Sequence, residues 1–371
     1  MKFSVSSSEL NKGLSTVIGA VPNKATLPIL ETILFKSEES SIKLSATDLE
    51  ISIIQHVQAD IEEAGSIAIP ARRLLETLRQ LPNITVFFEV DDRGNILFKT
   101  DKGTYKLVGD NADDFPKIPD LMDGTTIETD TEVVQQAINK TLFAVSNDDL
   151  RPAMMGVYFQ LGPNSSQFVS TDGHRLVKYS TTEMTTEQEH SFIVPDKALA
   201  LIQKSISNEL TTIQVNQDHV SFKSGSTQLI TRLINEQYPN YESVIPRDND
   251  KFLSISKDQM LSTVKRVSIF SSSTTRQIRL QLGPDKLTIR AEDLDMSSEA
   301  KETIDCDYSN ESMEIGFNAK YLSDVLQNIE GDEVSFEFSS PNKAGIVKPT
   351  QSDESEEMLM LVMPVMLNSY S

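Results

Sequence analysis

Leu27-Pro28-Ile29-Leu30 returns about 124 residues later as Arg151-Pro152-Ala153-Met154, and again as Arg276-Gln277-Ile278-Arg279. Ile69-Pro70-Ala71 returns in the same way as Val194-Pro195-Asp196 and Phe317-Asn318-Ala319. Each copy also opens with a capping-box pattern: Ser6-x-x-Glu9, Thr129-x-x-Glu132 and Ser256-x-x-Gln259. In such a box the Ser or Thr oxygen accepts from a free amide of the first helical turn, and Glu or Gln reaches back to the cap. One box carries little weight, whereas three in register with the other markers do. A period of this length is a whole domain, far beyond a solenoid unit. The 371 residues therefore divide into three domains, 1–121, 127–246 and 250–371.

Within a copy the hydrophobic spacing alternates between strand and helix periods. Leu10, Leu14, Val17 and Ile18 share one helical face. A second helix follows Pro70, with Leu74, Leu75, Leu78 and Leu81 as its apolar side, and Pro82-Asn83 ends it. Strands are expected at Ile33–Phe35, Ile42–Leu44, Leu49–Ile54, Thr85–Val90, Asn95–Lys99 and Thr104–Val108. The other copies place helices over 131–143, 196–207, 257–269 and 318–329. The acidic run Gln351–Glu357 reads as a solvated loop before the last strand. Two helices on one face of antiparallel sheet make an α+β layer.

The single cysteine, Cys306, excludes an internal disulfide and a cysteine-based zinc cluster. It suits the reducing cytoplasm. No apolar segment follows Met1-Lys2-Phe3 as in a signal peptide, and the longest apolar run, Met358–Leu367, is half a membrane span and contains Pro364. The formal charge of −21 opposes nucleic-acid binding when taken whole. Its distribution reverses that reading. The six predicted helices are net basic, through Lys12, Arg72, Arg73, Arg79, Lys140, Lys197, Lys204, Lys257, Lys265, Arg266 and Lys320, while the rest of the chain is strongly acidic. Helices lining one surface would attract phosphates without reading sequence. The alternative is that these are ordinary solvated charges.

Thr171-Asp172-Gly173-His174-Arg175-Leu176 invites a catalytic reading, with His174 as base and Asp172 orienting it. No nucleophile elbow, zinc-protease helix, phosphate loop or dinucleotide fingerprint accompanies it. No catalytic residue, metal site or cofactor is expected.

That motif, with Met1-Lys2-Phe3, Leu27-Pro28-Ile29-Leu30, Asp114-Phe115-Pro116, Tyr238-Pro239-x-Tyr241, Met313-Glu314-Ile315-Gly316-Phe317-Asn318 and Leu361-Val362-Met363-Pro364, resembles the beta subunit of bacterial DNA polymerase III, the β sliding clamp family. The likeness spans essentially the whole chain. It implies three repeated clamp domains per chain and a head-to-tail homodimer forming a six-domain ring around duplex DNA. It also implies a non-catalytic processivity factor whose partners are replicative polymerase, a clamp loader and other clients docking short peptide motifs. A heterologous contact whose rotation closes gives such a ring.

The resemblance carries a client-peptide pocket to Met154, Thr171, Gly173, His174, Arg175, Leu176, Pro239, Val244, Val362, Met363, Pro364 and Leu367. Methionine suits a pocket that accepts varied partners. A final core strand is the plainer reading of 361–367, and alternation allows both. DNA contacts carry over to Lys24 in a loop, and to Arg72, Arg73, Lys197, Lys265 and Arg266 on helices. The ring seam carries over to Tyr105 and Leu107, facing Ile269 and Phe270. The chain departs from the family at Met366, where arginine is usual, at Ser243, where a basic residue is common, at Pro152 and Ala153, which replace aromatic residues, and in its ending Asn368–Ser371. A peptide-binding scaffold that encircles no DNA is the rival reading, and a hydrolase using His174 is a more distant one.

Overall fold

The computed structural model describes residues 1–121, 123–207, 209–351 and 353–367; Asn368–Ser371, the departure at the C terminus, lie outside the described residues. Among the described residues six α-helices alternate with antiparallel strands: α1 Ser7–Val17, α2 Ala71–Arg79, α3 Thr131–Thr141, α4 Asp196–Ser205, α5 Lys257–Ser268 and α6 Ala319–Asn328. Short 3-10 turns at Ile18–Ala20 and Leu142–Ala144 extend α1 and α3. The chain forms two compact units, one of residues 1–135 with 197–233, the other of 136–196 with 234–371.

In the first unit a five-stranded sheet runs in the order Asp60–Glu63, Lys2–Ser6, Thr85–Val90, Asn95–Lys99, Thr104–Val108. An eight-stranded sheet holds strands of two copies. Thr227–Arg232 of the second copy pairs with Ile51–Gln58 of the first, in the register Leu229 to Ile53. Helix α1 buries Leu10, Leu14 and Val17 against strands Ser41–Thr47 and Ile51–Gln58, and packs beside α2. Gly13 allows this approach, since a Cβ there would meet Val57 Cγ2 at 2.5 Å.

In the second unit another eight-stranded sheet joins Arg175–Thr181 of the second copy to Glu356–Val362 of the third. A four-stranded sheet runs in the order Ser298–Asp305, Lys286–Asp293, Gln277–Gly283, Met313–Asn318. Helices α5 and α6 pack together, and Met260, Val264, Val267, Leu322, Val325 and Leu326 fill the core with Phe317, Phe336 and Phe338. No helix among the described residues is long and apolar enough to cross a membrane.

Several local expectations change. Of the three capping boxes only the third forms its side-chain cap among the described residues, with Ser256 Oγ accepting from the Gln259 amide at 3.5 Å. Ser6 occupies the cap position of α1, but its hydroxyl is drawn off to Asn83 and Ser8. Thr129 sits one residue too early, inside strand Thr125–Asp130. Leu49 is no strand residue: it turns the chain at φ 81°. Strands Asp60–Glu63 and Ser66–Pro70 are additions that the spacing does not announce, and Pro70 ends the latter directly before α2. The acidic run Gln351–Glu357 is not wholly loop, because Glu356 and Glu357 begin the last strand. Lys140 is no surface cation. It is 7% exposed, 2.5 Å from Glu356 and over the Tyr179 ring. Burial and the Glu356 hydrogen bond together push the Tyr179 phenol well above its usual range.

Candidate functional site

The Thr171–Leu176 turn is built by its own polar side chains. Asp172 Oδ1 accepts from the amides of His174 and Arg175, and Thr171 Oγ1 donates to the Arg175 carbonyl at 2.7 Å while accepting from the Gly173 amide. Gly173 has φ 87°, a conformation that favours glycine, and a Cβ there would meet Arg151 Nη1 at 2.8 Å. The Asp172 carboxylate is thus spent on backbone and on Arg175, and it does not orient the imidazole. His174 instead stacks its ring on Tyr321 of α6 at 5.4 Å. Among the described residues no nucleophile, orienting acid or group of three or more metal-ligating side chains gathers there.

Arg175 is a bolt, not a pocket wall. It is 7% exposed and gives every arm of its guanidinium: Nε to Asp172, Nη1 to Asp324 at 2.5 Å and Nη2 to the Phe143 carbonyl at 2.7 Å. Its plane lies over Tyr321 and Phe143. The turn is thereby fixed to α6.

Leu176 pairs across the ladder with Leu361, and both belong to an apolar cluster with Val169, Ile193, Tyr238, Tyr241 and Ala344. Val362 faces the other way, into the core around α5 and α6. The expectation for Val362 is therefore one residue out of phase, and Leu361 is the residue that stands beside Leu176. Side chains alternate in a strand, so a slip of one changes the face. Tyr238 and Tyr241, also absent from the expected pocket, pave the cluster. Tyr238 stacks on Tyr158 at 4.7 Å, and Tyr241 donates to Gln160 Oε1 at 2.5 Å. Burial, with Glu242 adding repulsion, raises the Tyr241 phenol to about 12, so it stays a donor.

Ala153, Tyr158, Ile234, Ile245 and Leu359 pack against this floor; of the expected pocket residues nearby in sequence, Met154 and Pro239 are half-buried and Val244, on the 3-10 turn Tyr241–Val244, is exposed. The chain end closes the rim. The Met363 amide donates to the His174 carbonyl at 2.8 Å, and the Val365 amide to Gly316 at 2.9 Å. Met363 and Met366 are exposed, while Pro364 and Leu367 are half-buried. Gly316 accepts this tail because it has no side chain, since a Cβ would lie 2.6 Å from Leu367 Cδ2. Gly316→Val is expected to cost about 1–3 kcal/mol by overpacking. The Val365 amide should also lose protection in hydrogen exchange, and unchanged protection would show that the tail does not rest there.

The expected DNA-contact residues differ in state. Lys24, Arg73 and Lys265 are exposed and make no ion pair among the described residues. Arg72 donates to Asn23 Oδ1 at 2.6 Å and so holds the loop that carries Lys24. Lys197 is paired with Asp48, and Arg266 is forked onto Glu302 at 2.9 and 2.6 Å. These two are not free cations. At the expected seam, Tyr105 stacks on Phe98 and, with Leu107, is half-buried on strand Thr104–Val108. Ile269 and Phe270 follow α5, 78% and 41% exposed.

Models of the N-terminal, central and C-terminal domains of the DNA polymerase III beta subunit match residues 1–119, 128–240 and 242–364. The beta sliding clamp of Pseudomonas putida is 30% identical over 364 residues, 97% of this chain and 99% of that one. That of Caulobacter vibrioides is 32% identical, covering 94% and 95%. A DnaN sliding clamp from Pseudomonas aeruginosa bound to griselimycin superposes with a TM-score of 0.94 at 29% identity, covering 99% of this chain and all of that one. A Bacillus subtilis DNA polymerase sliding clamp gives 0.93 at 25%, with 99% of each chain covered. Matched in order by all three domain models and aligned nearly end to end with these relatives, the chain belongs to the bacterial beta sliding clamp family, the beta subunit of DNA polymerase III.

Proposed function

We propose that this protein is a DNA sliding clamp for processive synthesis, without catalytic activity of its own. Two copies close head to tail into a ring around duplex DNA in the cytoplasm. Clients, the replicative polymerase and a clamp loader among them, dock short motifs in the groove floored by Leu176 and Leu361. The observation that carries the reading is the full-length family match, joined to two unpaired sheet edges. Strand Thr104–Val108 ends one sheet and Ser298–Asp305 ends another, each paired on one side only among the described residues. An open edge is a template for pairing with another chain. Ile269 and Phe270 supply the exposed apolar surface such a seam buries.

Helical cations such as Arg73 and Lys265, with loop residue Lys24, hold phosphates through charge alone, which lets the ring slide. Tethering then replaces a diffusive encounter with a high effective concentration of polymerase. The P. aeruginosa relative is a clamp bound to griselimycin. The same compound is expected to compete with client peptide here.

Loading the protein onto nicked circular plasmid with a clamp loader and ATP tests the ring. Retention in high salt on circles, and loss once a restriction enzyme linearises them, is the expected result. Equal loss from both forms would leave a peptide scaffold as the better reading.

A further inference from the structure

Between the loop after α5 and the first turn of α6 lies a cavity of about 400 Å³. Arg276 and Lys320 line it, and its remaining walls are serines, Ile269 and Ala319. No Asp or Glu takes part, in a chain whose carboxylates outnumber its Lys and Arg by 55 to 34. Three other cavities differ in this respect. The one beside Lys178 carries Glu242 and Glu357, the one beside Arg290 carries Glu292, Asp293, Asp295 and Glu299, and the one beside His190 carries Glu189 and Glu242. Solitary strand cations are common in this chain, as Lys36 opposite Lys43 shows. Arg276 and Lys320 instead come from two separate elements to one acid-free space, and neither side chain has an ion pair or hydrogen bond among the described residues.

The loop is pinned from both sides. The Arg276 amide donates to the Ser272 carbonyl and the Ala319 amide to the Arg276 carbonyl, each at 2.8 Å, and Asn318 Nδ2 donates to the Thr275 carbonyl at 3.2 Å. Arg276 takes φ 48°, a left-handed conformation uncommon outside glycine. Asn318 Oδ1 already accepts from the Lys320 and Tyr321 amides, so an occupant is held by side chains and not by the helix end. The hydroxyls of Ser273 and Ser323 are uncommitted among the described residues. Each copy carries a cation as the second residue of its second helix: Arg72, Lys197 and Lys320. Arg72 is spent on Asn23 and Lys197 on Asp48, while Lys320 has only this cavity to serve.

We propose that this cavity seats a backbone phosphate of the duplex, with Arg276 forking onto its oxygens, Lys320 adding a point charge and the Ser273 and Ser323 hydroxyls donating. The cavity continues a surface already expected to meet DNA: Ser268, in its wall, donates to the carbonyl of Lys265, one turn back on α5, at 3.0 Å. A contact to phosphate alone reads no bases and leaves the ring free to slide. Ile269 borders the cavity, so the site adjoins the seam and is tested with the ring closed. The inference rests on the clamp reading and adds a phosphate contact in the third copy to that of Lys24 in the first.

Fluorescence anisotropy with a labelled linear duplex, short enough to thread a closed ring by its end, tests it on the dimeric full-length protein over a range of salt. Arg276→Gln with Lys320→Gln is expected to bind about fivefold more weakly at low salt. Its plot of log affinity against log salt should be shallower by at least about one, because a phosphate is no longer neutralised. Both side chains are exposed, so folding should be spared, and sedimentation should show the dimer intact. Lys36→Gln with Lys43→Gln removes the same charge from a sheet face and should change affinity less than about twofold. Equal weakening by the two double variants would reduce the effect to net charge and overturn the cavity, leaving the clamp reading standing. Weakening that comes with loss of the dimer would assign Arg276 and Lys320 to the seam instead. Duplex affinity untouched by the substitutions, with inorganic phosphate raising the melting point of the unsubstituted protein alone, would overturn the backbone assignment in favour of a free anion. Failure of the unsubstituted protein to bind duplex at any salt would overturn the clamp reading and this inference with it.

Discussion

Arg175→Ala should destabilise the unit of residues 136–196 and 234–371 by about 3–5 kcal/mol, the cost of removing one partner of a buried ionic network. The side chains of Asp172 and Asp324 are 13% and 29% exposed, so each would be left facing little water without its cation. The stacking on Tyr321 and Phe143 goes as well. For a unit of this size the unfolding midpoint should fall by roughly 10 °C, read by near-ultraviolet circular dichroism or calorimetry. Arg175→Lys keeps the charge and loses the fork, and should fall in between. A shift of less than about 1 kcal/mol would mean that the turn is held by its backbone alone. Peptide affinity should fall with stability in both variants, because His174 and Met363 are positioned through this residue.

The second large effect concerns assembly. Ile269→Asp with Phe270→Asp is expected to weaken the dimer by at least about 4 kcal/mol, or roughly a thousandfold, as when two central apolar anchors of an interface are removed together. Both side chains are exposed in the single chain, so its folding should be spared. Sedimentation at micromolar concentration should show a soluble monomer, and retention on circular plasmid should be lost. A double variant that stays fully dimeric would sink the seam assignment.

Much of this fold is legible from spacing. Apolar faces such as Leu10, Leu14 and Val17 leave no other period, so the helices can be placed to within a few residues. Strand Thr104–Val108 shows in its alternation. What spacing misses is decided by partners distant in sequence. Thr129 and Ser256 look alike, and only the backbone around them determines which becomes a cap. Lys140 resembles the other helical lysines, since nothing local announces Glu356, which lies 216 residues away. Asp60–Glu63 is too acidic to resemble a strand and is one because Lys2–Ser6 lies open beside it. At the groove, the Thr171–Leu176 motif identifies the turn, but the roles within it are mixed. His174 is exposed, whereas Arg175 is structural. The choice between Val362 and Leu361 depends on a register that only the ladder with Arg175–Thr181 defines.

The shared sheets bear on whether the copies could ever live apart. Each outer copy supplies half of an eight-stranded sheet that the middle copy completes, joined through Ile51–Gln58 on one side and Glu356–Val362 on the other. A fragment containing only the middle copy would bare two unpaired strand borders, Thr227–Arg232 and Arg175–Thr181, and would aggregate sooner than fold. Duplication here made three similar sequences without making three independent modules. An evolutionary path back to a one-domain ancestor would first have to give that ancestor copies of itself to pair with.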